Sequence, residues 1–192
     1  MLEEEYQPRR RLPDALKPKA PPLPKFEFVI RPATTDDLPD VREIYNHYVA
    51  NSTVTFDEVP MALKAWRTKF DYVQKLGFPF LVAVSPNNHV LGFAYVAPWI
   101  SKAAARRTVE NSIYLGPAAT GKGLGRALMT ELLASSKAAG IKEVLAIIAD
   151  QGADASIRLH ESFGFKEVGR LGRVGFKFNR WLGTVMMQKS LK

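Results

Sequence analysis

Residues 116–125 read GPAATGKGLG. Gly116, four residues and then Gly121-Lys122 match the opening of a nucleotide-binding P-loop. That loop continues with Ser or Thr, whose hydroxyl binds the Mg²⁺ that bridges the phosphates. Gly123 stands there instead. The parts of a metal-free diphosphate site are nonetheless present. The first amides of a helix lack partners and sit at the positive end of its dipole, so a glycine turn entering a helix suits an anion. Gly121, Gly123 and Gly125 let a backbone approach a diphosphate without Cβ clashes, and Lys122 and Arg126 add charge. A tight strand-to-helix turn with no ligand would leave the same trace, so the flanking sequence has to decide.

A true P-loop usually follows the first strand of a parallel sheet. Here three strand patterns precede the turn, and they read as antiparallel. FLVAV (80–84), a turn at Pro86-Asn87-Asn88, and VLGFAYVAP (90–98) form a hairpin pattern, and RTVENSIYL (107–115) follows as a further strand. Downstream, Leu124, Leu128 and Leu132 recur at helical spacing, and Gly140 supplies a C-cap. VLAIIA (144–149) reads as a buried strand, and ASIRLHESFGF (155–165) as a helix closed by Gly164. KEVGRLGRV and RWLGTVMMQ make a final antiparallel pair.

Upstream, FEFVIR (26–31) opens a strand. Thr34 with Asp37 suggests a helix N-cap, and Leu38, Val41, Ile44, Tyr45 and Tyr48 form an apolar stripe behind it. STVTFDEVP (52–60) reads as a loop, and Leu63, Trp66, Phe70 and Val73 mark a second helix. The order is β-α-α-β-β-β-α-β-α-β-β. Its middle β-α-β unit requires a parallel crossover while its ends are hairpins, so the expected fold is α/β with a mixed sheet and helices on both faces.

The bulk numbers agree with one ordinary domain. The chain has 192 residues, 46% apolar and 24% charged, and no cysteine. It therefore has no disulfide, no thiolate metal ligand and no Cys nucleophile. No apolar run reaches membrane-spanning length, and the N-terminus lacks a secretory h-region, so a cytoplasmic protein with no membrane partner is expected. Residues 1–25 carry Pro8, Pro13, Pro18, Pro21, Pro22 and Pro24 and few large apolar groups. They read as a disordered arm before a domain over 26–192. The net charge of +8 raises nucleic acid as a partner. The basic residues are scattered, apart from Arg9-Arg10-Arg11 and Arg106-Arg107, which argues against it.

Strand, glycine turn, helix, strand and helix ending in SFGF resemble the acetyl-CoA-binding half of the GNAT acyltransferases. IRPATTDDLPDVREIYNHYV, STVTFDEVP, FAYVAPW, TVENSIYLGP, SIRLHESFGF and VGFKFNRW are similar to the phosphinothricin and methionine sulfone N-acetyltransferase branch, over residues 28–190. The resemblance implies a twisted, mostly antiparallel mixed sheet of about seven strands with about four helices on its two faces. It implies acetyl-CoA in a V-shaped opening between two central parallel strands, its diphosphate on Thr120–Arg126, and no metal. The oxyanion and pantetheine contacts would come from backbone amides of Ile113, Tyr114 and Leu115, freed by a bulge, with Ala153 and Ser156 beside the arm. Thr120 replaces a Gln or Arg of the superfamily, and Ala153 replaces an Asn.

The chemistry needs a base for the amine, donors for the oxyanion and a proton for the thiolate. The resemblance makes Glu110 the base. His160 stands where many relatives carry a Tyr that protonates the thiolate, and Tyr114 is a second candidate donor. The acceptor would be a small amino-acid-like amine enclosed by Phe56, Trp99, Lys102, Arg106, Arg107 and Phe176. Related enzymes carry paired cations after PW; here Ile100 and Lys102 stand there. Direct attack is expected, since no Cys can carry an acyl group. A homodimer is implied by the resemblance alone. Another amine, an antibiotic or a peptide N-terminus as acceptor stays open, as does a non-catalytic acyl-CoA sensor.

Overall fold

In the computed structural model, which describes residues 26–192, the elements follow the expected order. They are β1 (Val29–Pro32), α1 (Leu38–Asn51), α2 (Leu63–Lys75), β2 (Phe80–Val84), β3 (Val90–Pro98), β4 (Thr108–Leu115), α3 (Leu124–Ala138), β5 (Glu143–Ala149), α4 (Asp154–Ser162), β6 (Lys166–Lys177) and β7 (Arg180–Ser190). The arm expected over residues 1–25 lies outside the described residues. Thr34 caps a short 3-10 turn, Thr35–Asp37, that runs into the first helix at Leu38. Thr34 N–H donates to Asp37 Oδ2 at 2.7 Å, and Arg31 grips both oxygens of the same carboxylate at 2.7 Å. The third helix starts at Leu124, after a turn in which Gly121 and Gly123 take left-handed backbone at φ 72° and 81°.

One seven-stranded sheet runs in the order β1-β2-β3-β4-β5-β7-β6. Every pair is antiparallel except β4 with β5. Strand alternation divides the core between two faces. Phe80, Val82, Phe93 and Tyr95 pack with Trp66, Phe70, Leu38 and Val41 of α1 and α2. Leu81, Ala83, Ala94, Val96 and Val109 pack instead with Leu124, Leu128 and Leu132 of α3. Those three leucines are fully buried, which stabilises by about 1.5–3 kcal/mol each relative to exposure.

The central opening follows from how the pairing is distributed. β4 stays paired with β3 along its whole length, Val109 to Leu115, in unbroken register. β5 stays paired with β7 along its whole length, Glu143 to Ala149. Between β4 and β5 only Thr108, Val109 and Glu110 find partners, at Glu143, Val144 and Leu145. The expected bulge in β4 is therefore absent. The strands part because each is bound to its own half of the sheet, and the halves diverge after Glu110.

Candidate active site

Beyond Glu110 the two strand edges face a cavity of about 460 Å³, lined among others by Tyr48, Asn111, Ser112, Ala149 and His160. Strand geometry identifies the free backbone groups. Trp99 N–H donates to Thr108 O and Gly116 N–H to Leu91 O, so Thr108, Glu110, Ser112 and Tyr114 turn their amides to β3. Asn111, Ile113 and Leu115 turn theirs to the opening. By the same alternation Ile147 and Ala149 face it from β5, because Asp150 N–H is bound to Gly183 O on the far side. Of the expected donors, Ile113 and Leu115 face the opening, whereas the Tyr114 amide is committed to β3. The Leu115 carbonyl is already taken by the Tyr48 hydroxyl at 2.7 Å.

The glycine turn closes one end. Thr120, Gly121 and Gly125 line the cavity. A Cβ placed on Gly121 or Gly123 would meet nothing within 4 Å, so their glycines serve the positive φ and leave open space above the turn. Ala127 is the first α3 residue bonded back to the turn, its N–H donating to Gly123 O at 3.1 Å. The amides of Leu124, Gly125 and Arg126 are left without intrahelical acceptors, as at any uncapped helix start. An anion fits there. The side-chain charges are placed otherwise. Lys122 Nζ lies over the Phe26 ring at 4.6 Å, and Arg126 donates to Ser162 Oγ at 3.1 Å. Thr120 Oγ1 is bound to Pro117 O. The cradle is thus backbone, with both cations at its rim. Ala153 and Ser156 line the same cavity near the start of α4.

Glu110 sits at the vertex where the strands part. Its side chain has no hydrogen-bond or ion-pair partner among the described residues, and it lines the cavity. Burial pushes its carboxyl above the usual range, and the charge of Lys69 partly opposes that. An unpaired carboxylate of raised basicity next to an open cleft can take a proton from an amine.

His160 lies on the other face of β4. Its Nδ1 is 2.8 Å from the Ser156 carbonyl oxygen, which only accepts, so Nδ1 carries the hydrogen. Nε2 then accepts from the Asn111 side-chain amide at 3.0 Å. Burial holds the ring below its ordinary pKa, against the Ser156 hydrogen bond. A neutral ring with both nitrogens engaged has no proton aimed at the cleft. Tyr114 shares a face with Glu110 and lines the same cavity. Burial, with Tyr95, Tyr45, Asp57 and Glu110 nearby, keeps its phenol protonated far into alkali. Tyr114 thus lines the cavity on the Glu110 face, whereas His160 offers it no proton.

The expected acceptor residues are not gathered at this cavity. Lys102, Arg106 and Arg107 are exposed, and Trp99 is 37% exposed on the turn after β3. Phe176 is half exposed against Trp181, with ring centroids 5.3 Å apart. Phe56 is tucked against Gly175, where an added Cβ would lie 2.7 Å from its ring. The structure adds residues the sequence reading missed. Asn111 and Tyr48 are cavity groups whose signal was available in strand alternation and in the helical stripe. Lys69 carried no signal, since a Lys one turn beyond a buried Trp looks like solvated surface.

A mixed sheet split between its two parallel strands, with a glycine-cradled helix start at one end and a lone carboxylate at the vertex, is the architecture of an acyl-CoA-dependent transferase. Residues 41–165 match the Acetyltransferase (GNAT) family. The chain belongs to that family, whose reaction moves acetyl from acetyl-CoA to an amino group. Within it, the chain is 37% identical to a phosphinothricin N-acetyltransferase of Alcaligenes faecalis, over 93% of this chain and 90% of that one. It is 39% identical to an L-methionine sulfoximine/L-methionine sulfone acetyltransferase of Pseudomonas aeruginosa, over 84% and 94%. The fold superposes on an acetyltransferase of Salmonella typhimurium solved with acetyl-CoA, at TM-score 0.82 and 37% identity, covering 86% of this chain and 95% of that one. Acetyl-CoA is accordingly the cosubstrate of this chain, and the expected fold and branch are both borne out.

Proposed function

We propose that this protein acetylates the α-amino group of a small amino-acid-like acceptor of the phosphinothricin, methionine sulfone or methionine sulfoximine type. The observation that carries the reading is Glu110, an unpaired and partly buried carboxylate at the vertex of the acetyl-CoA cleft. The names of the relatives supply the acceptor class.

The acceptor arrives as an ammonium ion. Glu110 takes its proton, directly or through water, and the freed nitrogen lone pair attacks the thioester carbonyl carbon. The carbonyl oxygen gains negative charge opposite the cleft-facing amides of Ile113 and Leu115. Collapse breaks the C–S bond, the nitrogen's second proton passes to the departing thiolate by way of the Tyr114 hydroxyl, and Glu110 returns its proton to solvent. The diphosphate lies on the amides of Gly121–Arg126. His160, held neutral, orients Asn111 on the cleft wall. The attack is direct, in a ternary complex.

Two finer readings accompany this. A homodimer is supported by the apolar groups exposed on the β6–β7 hairpin, including Leu171, Val174 and Trp181. A cytoplasmic setting belongs to the same reading, since acetyl-CoA is a cytoplasmic metabolite; separately, no described helix is long and apolar enough to cross a membrane.

The test is release of free CoA thiol from acetyl-CoA with methionine sulfone, methionine sulfoximine, phosphinothricin, common amino acids and short peptides. Turnover with one of the first three above all others is expected. Turnover with peptides alone, or binding of acetyl-CoA with no release for any amine, overturns the reading.

A further inference from the structure

The acetyl-accepting side of the sheet carries an uncommitted cation. Lys69 lies on α2, one turn after the buried Trp66, and is half-buried. Its Nζ sits 5.2 Å from the Trp66 ring centroid and 5.5 Å from that of Tyr95. It donates a hydrogen bond to the Tyr95 hydroxyl at 3.3 Å. No carboxylate pairs with it among the described residues, where the ion pairs are Arg31 with Asp37 and Arg170 with Glu167. The Trp66 ring and the ring and hydroxyl of Tyr95 hold an ammonium group in place without neutralising it, which costs side-chain entropy that a solvated lysine would keep.

Its position relates it to Glu110. Tyr95 on β3 stands opposite Ser112, and Ala97 opposite Glu110. Tyr95, Ser112 and Glu110 share the α1–α2 face, so Tyr95 is a diagonal neighbour of Glu110. The Lys69 charge also acts on the Glu110 carboxyl, opposing the upward push of its burial. One face therefore offers an unpaired carboxylate and an unpaired ammonium, propped one strand apart. That is the complement of a zwitterion, whose ammonium and carboxylate share one carbon. Neither Lys69 nor the cations the sequence singled out, Lys102, Arg106 and Arg107, lines the cleft cavity itself, but the last three are exposed whereas Lys69 is held half-buried on the Glu110 face.

We propose that Lys69, propped by Tyr95, receives the carboxylate of the acceptor, so that an amino acid lies end to end between Glu110 and Lys69. This rests on the acetyl-transfer reading above and makes Lys69 a specificity-determining residue of it. The ammonium end goes to the base and the carboxylate end to Lys69, which presents the nitrogen to the thioester in one orientation. An amine without a carboxylate loses that anchor.

The experiment compares methionine sulfone with its decarboxylated amine, in wild-type protein and in Lys69→Met, Lys69→Arg and Tyr95→Phe, each checked for an unchanged melting temperature. The readout is the ratio of kcat/KM for the acid to that for the amine. Wild type is expected to favour the acid. Lys69→Met is expected to lower that ratio about tenfold, chiefly through KM for the acid, as loss of a charge-assisted contact implies. Lys69→Arg should restore most of the ratio, and Tyr95→Phe should lower it less than Lys69→Met. A ratio that Lys69→Met leaves unchanged overturns the proposal, as does a wild type that prefers the amine. A wild type inert to both compounds and to every other amine would instead defeat the acetyl-transfer reading itself.

Discussion

The Asn111 amide nitrogen lies 3.0 Å from Nε2 of His160, across the wall of the cleft from the face that carries Glu110. With Nδ1–H bound to Ser156 O at 2.8 Å, the ring is fixed as one neutral tautomer. The arrangement suits neither imidazolium nor the other tautomer, and burial depresses the pKa below its ordinary 6.5. In the folded state this histidine resists a proton that the unfolded chain accepts. Its stabilising contribution is therefore complete above about pH 6.5 and is lost as pH falls through the depressed folded value. Denaturant unfolding of wild type should weaken over that window, and His160→Gln should flatten the slope there. An unchanged slope in the variant would mean that His160 titrates freely.

Glu110 works in the opposite direction. Burial raises its pKa, so the active carboxylate form is lost as pH falls through a value above the ordinary 4.5. The acid limb of kcat/KM should therefore sit above that figure. Glu110→Gln should lower kcat by about 10²–10⁴-fold, the usual contribution of a positioned base, and remove the limb. Acetyl-CoA affinity, measured by calorimetry, should stay nearly the same. Full turnover in Glu110→Gln would take Glu110 out of its role.

Gly123 takes φ 81° immediately before α3. Gly123→Ala forces a Cβ into left-handed backbone at about 1–2 kcal/mol. The melting temperature should fall by about 2–4 °C for each kcal/mol in a chain of this size. The KM for acetyl-CoA should rise with it, because the same turn presents the amides to the diphosphate. A lower melting temperature with an unchanged KM would show a turn that is only structural.

Gly175 touches the expected acceptor side through Phe56. A Cβ there would lie 2.7 and 2.8 Å from two ring carbons, so the ring must move. Gly175→Ala should lower kcat/KM for the acceptor by roughly tenfold while sparing the KM for acetyl-CoA. Equal losses for both substrates would place Phe56 in general packing rather than beside the acceptor.

Much of this was legible in the chain. Helical spacing of Leu124, Leu128 and Leu132, alternation through β2 and β3, and glycine punctuation at 140 and 164 each reported a local constraint, and local constraints are what a sequence records. The opening between β4 and β5 is another matter. It arises because β4 and β5 each remain paired to a different neighbour, a long-range balance that no residue in TVENSIYL announces. The bulge assumed in its place was a local cause for a non-local effect. The same limit hid Lys69, whose meaning depends on Tyr95 from a strand 26 residues away. Arg106 and Arg107, a conspicuous charge pair in sequence, are exposed in the structure and do not line the cleft cavity.

The central claim is that bare backbone amides at the start of α3 hold the diphosphate of acetyl-CoA without a metal. Isothermal calorimetry of the full chain with acetyl-CoA in excess EDTA tests it most directly. Equimolar binding that chelator does not weaken, and that Gly123→Ala does weaken, is the predicted result. No heat with acetyl-CoA under chelation, with binding restored by adding Mg²⁺, would contradict it.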